Sequence, residues 1–332
     1  MTVPALPREL QVEVTGACNL RCAMCLVRYR EPLDRHEASL GFERFKALVD
    51  ALPELETVTL QGLGEPLMAP DLFRMIEYGA ARGLRMGFNT NATLLTRATA
   101  ERLVAAGLEW LHVSIDGATA ETYESIRDGS RFAKVARNVR GLVDVMRARA
   151  AVRPTLSLVF VAMRRNLAEL PDVVRLAADW GIPTLRVQNL SHSFSDTDPA
   201  GAYREIREFA AAEALWQSPA SGDGAIFDEA RELAAALGVA LRLPHLESEE
   251  APPAPSGRGC DWPWRSAYVR QDGQVQPCCM LMGGDRAILG DLGRASFPAI
   301  WRGASYKGFR AALETTSPPD VCRGCSQYRG VF

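Results

Sequence analysis

The stretch that decides the fold is Cys18-Asn19-Leu20-Arg21-Cys22-Ala23-Met24-Cys25, which follows directly on an apolar, β-rich run at residues 10–14. Three thiols within eight consecutive residues bind one metal centre more readily than they pair as disulfides. Structural zinc sites also use Cys-x2-Cys spacing, but they take four ligands, usually as two pairs. This run offers three, and the next histidine, His36, stands eleven residues beyond Cys25. Soft thiolates favour iron–sulfur clusters, and three of them leave one iron free to bind a small molecule. Zinc and a cluster both stay open on the triplet alone, with the cluster the better match to the ligand count.

The other five cysteines are Cys260, Cys278, Cys279, Cys322 and Cys325, and none falls between Cys25 and Cys260. The chain has 332 residues, 47% of them hydrophobic and 23% charged, with 38 basic against 40 acidic residues and a net charge of −2. That is a globular composition with a large core, in one large domain with an appendage or in two domains. It argues against disorder and against nucleic-acid or membrane binding driven by gross charge. The longest apolar run, residues 158–163, is far short of the ~20 residues that span a bilayer, and residues 1–14 lack a secretory signal pattern. The expectation is a cytoplasmic protein with no membrane or nucleic-acid partner.

Outward from the triplet, β-rich runs at 10–14, 57–60, 85–89, 110–115, 155–161 and 184–187 alternate with apolar residues at helical spacing, such as Phe42, Phe45, Leu48, Val49 and Leu52. Gly83, Gly107 and Gly181 stand where left-handed C-caps are expected. Repeated βα units imply a parallel sheet covered by helices. Six units are too few for an eight-stranded barrel, so an open or partial barrel follows, its site at the C-terminal strand ends. Helices near 203–215 and 226–237, a strand at 239–243 and a Pro/Gly-rich linker at 247–259 come next. A small module with a hairpin around Asp272-Gly273 closes the chain. The expected division is 1–200 for the barrel, 201–259 for the helical connection and linker, and 260–332 for the cysteine-bearing module.

The triplet after strand one, joined with Gly62-Leu63-Gly64-Glu65-Pro66 after strand two, resembles the radical S-adenosylmethionine (SAM) enzymes. The resemblance implies an α/β fold: a partial (β/α)6 barrel in which Cys18, Cys22 and Cys25 hold a 4Fe-4S cluster whose open iron binds SAM. It implies that Gly62, Gly64 and Glu65 line the methionine amino end, that Met24 stands where an aromatic residue is usual, and that Asn89, Ser114 and Arg127 contact SAM. Without it, Ser114 is a cap, Arg127 a helix-surface arginine, and Asp116 either a turn residue or a substrate contact.

From Cys260 onward the spacing, twelve residues to Gly273 and four more to Cys278, resembles the opening of the SPASM and twitch extensions of that superfamily. The resemblance makes Cys260, Cys278, Cys322 and Cys325 ligands of one auxiliary 4Fe-4S cluster. That count is the twitch pattern of the aminocyclitol dehydrogenase of butirosin-type biosynthesis, and a zinc ribbon is the alternative. Cys279 is left over as a buried thiol, an alternative ligand to Cys278, or a hydrogen-atom donor. His112, His192 and His245 have no metal-ligand spacing. Trp262, Trp264 and Trp301 suit a small-module core, and Arg164 with Arg165 reads as a solvated pair.

The implied activity is reductive cleavage of SAM to methionine and a 5′-deoxyadenosyl radical that abstracts hydrogen from a substrate. Flavodoxin or ferredoxin is the implied electron donor. A small polar substrate (sugar, aminocyclitol or nucleoside) is favoured, because about ten residues before strand one leave no room for a peptide-recognition domain. Dehydrogenation or epimerisation would follow. A ribosomally made peptide, decarboxylation or carbon–carbon coupling, and a non-enzymatic iron–sulfur or zinc protein are the alternatives.

Overall fold

A computed structural model describes residues 5–34, 36, 38–246, 259–281 and 283–332. The expected linker at 247–259 lies, apart from Gly259, outside the described residues. The βα alternation is realised as β1 (Glu9–Val12), α1 (Phe42–Asp50), β2 (Thr57–Thr59), α2 (Leu72–Ala81), β3 (Arg85–Thr90), α3 (Arg97–Ala105) and β4 (Trp110–Ser114). It continues through α4 (Ala120–Ile126), α5 (Phe132–Ala148), β5 (Thr155–Ala162), α6 (Leu170–Trp180) and β6 (Thr184–Asn189). After α7 (Arg204–Glu213) and α8 (Asp223–Leu237), the short β7 (Ala240–Arg242) adds to β6 in parallel.

Helix boundaries have local causes. Thr96 and Thr119 accept hydrogen bonds from the backbone N–H groups of Thr99 and Thr122 and so start α3 and α4. Gly83, Gly107 and Gly181 all have φ between +71° and +80°, which lets the chain reverse into the next strand. The helix-facing side of the sheet is apolar and fully packed, with Val58, Met86, Phe88, Leu111, Val113, Leu158, Phe160 and Leu185 all inaccessible to solvent. Each such side chain contributes roughly 1.5–3 kcal/mol by burial.

The other face is where sequence and structure inform each other. Along β4 and β6 every second residue, Trp110, His112, Ser114 and Thr184, Arg186, Gln188, is only half-buried. Residues of all six strands, Gln11, Thr59, Asn89, His112, Val161 and Arg186 among them, line one cavity of about 600 Å³. Six strands lying flat at about 4.8 Å spacing would extend over some 24 Å. Sharing one such cavity requires the sheet to curl, as in a partial barrel.

The cysteine-bearing module is not a separate layer. After α9 (Trp262–Arg265), β8 (Ser266–Val269) pairs in parallel along β1, Glu9 with Ser266 through Val12 with Val269. The expected hairpin joins β8 to antiparallel β9 (Gln274–Gln276), and β10 (Gly290–Asp291) forms the edge. The sheet therefore has ten strands in the order β10-β9-β8-β1-β2-β3-β4-β5-β6-β7. Three more helices, α10 (Phe297–Trp301), α11 (Ala304–Leu313) and α12 (Asp320–Arg323), complete the module. Trp301 is its buried centre, as expected, but Trp262 is half-exposed and lines the cavity. Arg164 and Arg165 differ from the solvated pair expected. They hold α8 and α7 through Asp223 and Glu213, both at 2.7 Å. No helix among the described residues is long and apolar enough to cross a membrane.

Candidate functional site

The triplet occupies the loop after β1, and backbone bonds from three directions fix its course. Arg21 and Ala23 donate to the carbonyls of Asp128 and Ile126 at the end of α4, at 3.0 and 2.8 Å, and Glu65 N–H donates to Ala17 at 2.9 Å. Asn19 reaches Thr93 at 2.8 Å. Two side chains approach the sulfurs: Asn91 Nδ2 lies 4.0 Å from Cys18 Sγ and Arg127 lies 3.9 Å from Cys22 Sγ. Burial pushes the thiols up, Cys18 to about 11 and Cys25 to about 12, with Cys22 raised as well. Such thiols ionise on binding a cation.

The two glycines also make close contacts within the protein. A Cβ on Gly62 would stand 2.2 Å from the Glu13 side chain, and one on Gly64 would stand 2.2 Å from the Thr15 carbonyl. Their absence of side chains lets the β2 loop press against β1 and the cysteine loop. Glu65 is buried and ties the same corner together, accepting from Thr90 Oγ1 at 2.7 Å, Asn91 N–H at 2.8 Å and Leu67 N–H at 3.2 Å. Burial raises its pKa against those bonds.

Met24, Gly62 and Asn89 line the central cavity, whereas Gly64, Glu65, Ser114 and Arg127 do not. Arg127 forms a 2.6 Å ion pair with Asp116. Asp116, considered above as a substrate contact, instead faces inward: it is completely buried, accepts from Val161 N–H at 2.8 Å and compensates Arg127. It presents nothing to the cavity.

The second set of thiols divides cleanly. Cys260, Cys278, Cys322 and Cys325 line one small chamber, whose other walls include Pro263, Leu281, Phe309 and Leu313. Among the described residues no three His, Cys, Asp or Glu side chains converge as ligands of a single ion. A chamber bounded by four thiols and apolar walls fits a cluster better than one zinc ion. Cys279 is not among the residues lining that chamber and instead lines the central cavity, as Met24 does. Burial raises this thiol to about 12.

Several cavity residues carry no sequence motif. Glu13, buried and raised by that burial, accepts from Leu63 N–H at 2.9 Å, with Tyr268 and Arg270 close by. His112 bonds Asn89 at 3.0 Å, and burial together with Arg186 and Arg242 lowers its pKa to about 4. Arg30, Arg186, Gln11, Gln61 and Gln188 complete the polar wall. The available signal was the period-two alternation of polar residues in strands that are otherwise apolar.

A model described as the radical SAM superfamily matches residues 12–177, half of the chain. The chain belongs to the radical SAM superfamily. A second model, an iron–sulfur cluster-binding domain named SPASM, matches residues 260–326. The cofactors of this radical SAM protein are thus SAM and a 4Fe-4S cluster, with auxiliary iron–sulfur binding in the C-terminal domain, and the two thiol sets just described fit those groups. The radical SAM chain is 25% identical to the tungsten-containing aldehyde ferredoxin oxidoreductase cofactor-modifying protein of Pyrococcus furiosus over 337 residues, covering 96% of this chain and 87% of that one. It is 32% identical over 193 residues to the mycofactocin maturase MftC of Mycobacterium tuberculosis, covering 58% of this chain and 47% of that protein. The structure of Streptococcus suis SuiB bound to precursor peptide SuiA shares its fold, with a TM-score of 0.71 at 15% identity over 98% of this chain and 71% of SuiB.

Proposed function

We propose that this radical SAM enzyme abstracts hydrogen from a small polar substrate held in the barrel lumen, with dehydrogenation or epimerisation as the outcome. The observation that supports this reading is the cavity of about 600 Å³ with a lining of mixed polarity, to which both Met24 of the cluster loop and Cys279 of the C-terminal module contribute. That volume lies within the range of small-molecule sites. When bound, SAM and the reduced cluster supply the hydrogen-abstracting radical. In this reading Cys18, Cys22 and Cys25 hold that cluster, and Asn91 and Arg127 orient donors toward its sulfurs. Cys260, Cys278, Cys322 and Cys325 hold one auxiliary cluster, the twitch number. Met24, Gly62, Gly64, Glu65, Asn89, Ser114 and Arg127 form or support the SAM pocket. Gln11, Gln61 and Gln188 offer amide donors and acceptors to substrate hydroxyls. In an epimerase, Cys279 would give its S–H hydrogen to the substrate radical, and the thiyl radical left behind would be restored to the thiol by one electron from an external reductant such as flavodoxin or ferredoxin and one proton from solvent.

Anaerobically purified protein should contain about eight irons per chain, with one electron paramagnetic resonance signal shifted by SAM. Cys22→Ala should abolish SAM cleavage and keep the auxiliary signal. Cleavage at the wild-type rate in that variant would overturn the site assignment. Cys279→Ala separates the outcomes: an epimerase loses the returned hydrogen, measured as loss of solvent deuterium in the product, whereas a dehydrogenase is little changed.

A ribosomal peptide substrate is the second reading, favoured by the likeness to a protein named mycofactocin maturase. Anaerobic turnover with candidate sugars and with candidate peptides, followed by mass spectrometry of both, decides between them.

A further inference from the structure

Among the described residues the cavity wall carries four arginines, Arg30, Arg186, Arg265 and Arg270, against one carboxylate side chain, Glu13. Three of the arginines have work inside the protein. Arg30 donates to the Gly16 carbonyl. Arg265 lies over the Trp262 ring, 5.4 Å from its centroid, and 3.7 Å from Asp261. Arg270 pairs with Asp272 at 3.1 Å. Glu13 is held by the Leu63 N–H and lies close to Arg270 and Arg30.

Arg186 is different. It is half-buried on the lumen face of β6, and among the described residues it has no hydrogen bond, ion pair or ring contact. Its parallel register partner on β7 is a second cation, Arg242, and its partner on β5 is the apolar Val159. Like charges directly opposite one another destabilise a sheet. A half-buried guanidinium without a counter-charge adds a desolvation cost. The nearby His112 is neutral at pH 7 and offers no compensation. An arrangement of this kind is relieved by an anion, and the planar fork of a guanidinium matches the two oxygens of a carboxylate or phosphate.

We infer that Arg186 anchors an anionic group of the substrate, a carboxylate or a phosphate, at the β6 side of the lumen. The inference deepens the lumen reading above and rests on it. A neutral sugar or an unmodified polyol leaves the cation unmatched, so the substrate class narrows to an acidic one, such as a phosphorylated or carboxylated small molecule.

The test uses the full-length, anaerobically reconstituted enzyme, saturated with SAM so that the carboxylate of SAM is already placed. Equilibrium dialysis with inorganic phosphate alone, at constant ionic strength, should give one saturable site per chain. Arg186→Gln should weaken it about tenfold to a hundredfold, the scale of a charge-assisted hydrogen-bonded pair. Arg186→Lys, which keeps the charge and loses the fork, should retain part of the affinity. Equal phosphate affinity in the wild-type and R186Q proteins would overturn the inference, as would the absence of a saturable site in the wild type. The wild-type measurement stands even if R186Q fails to fold. Malonate that displaces the phosphate assigns a carboxylate-accepting site, and malonate that does not assigns one selective for phosphate. Wild-type protein that binds phosphate but does not cleave SAM would overturn the radical reading and leave the anion site in place.

Discussion

Beside Cys22, Arg127 and Asp116 meet with 7% and 0% of their surfaces exposed. Removing one partner of such a pair leaves the other charge buried and uncompensated, which costs about 3–5 kcal/mol. Asp116→Ala should therefore lower unfolding free energy by that amount in urea titrations and should broaden the signal of the neighbouring cluster. His112 gives a second test, through pH. Its folded pKa of about 4 lies below the ordinary 6.5, so the unfolded chain takes up the proton first. Its stabilising contribution is complete above about pH 6.5 and falls as the pH drops toward 4. Wild-type protein should lose about 1–2 kcal/mol more than His112→Gln between pH 7 and pH 5, measured as the difference between their denaturation curves. The thiol spacing, which is local, was legible in the sequence. Which cavity Cys279 lines was not, because adjacent residues at the start of a short 3-10 helix are sorted between two chambers only by what packs on each side. The partners of Gly62 and Gly64 were equally hidden, since Glu13 and Thr15 lie on another strand and its loop.

At the level of elements, strand number and order along β1 to β6 followed from apolar runs and C-cap glycines, since both are written within a few neighbouring residues. The parallel union of β8 with β1 joins residues more than 250 positions apart, which no local pattern records. The polar face of the strands also illustrates how one element shapes its neighbour. A Cβ on Gly87 of β3 would stand 2.1 Å from the Trp110 indole on β4. Gly87→Ala should cost about 1–3 kcal/mol in urea denaturation, as other overpacked sites do, and displace the indole into the lumen. An unchanged denaturation midpoint would show that Trp110 moves freely.

For the whole molecule, the ten-stranded sheet makes the C-terminal module a structural part of the barrel rather than an attachment. Asn189 Nδ2 donates to the Val331 carbonyl at 2.7 Å and Ser326 N–H donates to Ser191 at 3.0 Å, so the module is bound at β6 as well as β1. With the auxiliary cluster proposed for the four-thiol chamber, chelating its iron should therefore lower the melting temperature of the entire protein in one transition. Two well-separated transitions in calorimetry would contradict that coupling. The pairing of β1 with β8 also has a meaning for biosynthesis. Strand β1 keeps one bare edge until residues 266–269 have emerged from the ribosome, and exposed strand edges invite pairing with other chains. Throughout that interval the loop carrying the first three cysteines hangs from an unfinished sheet.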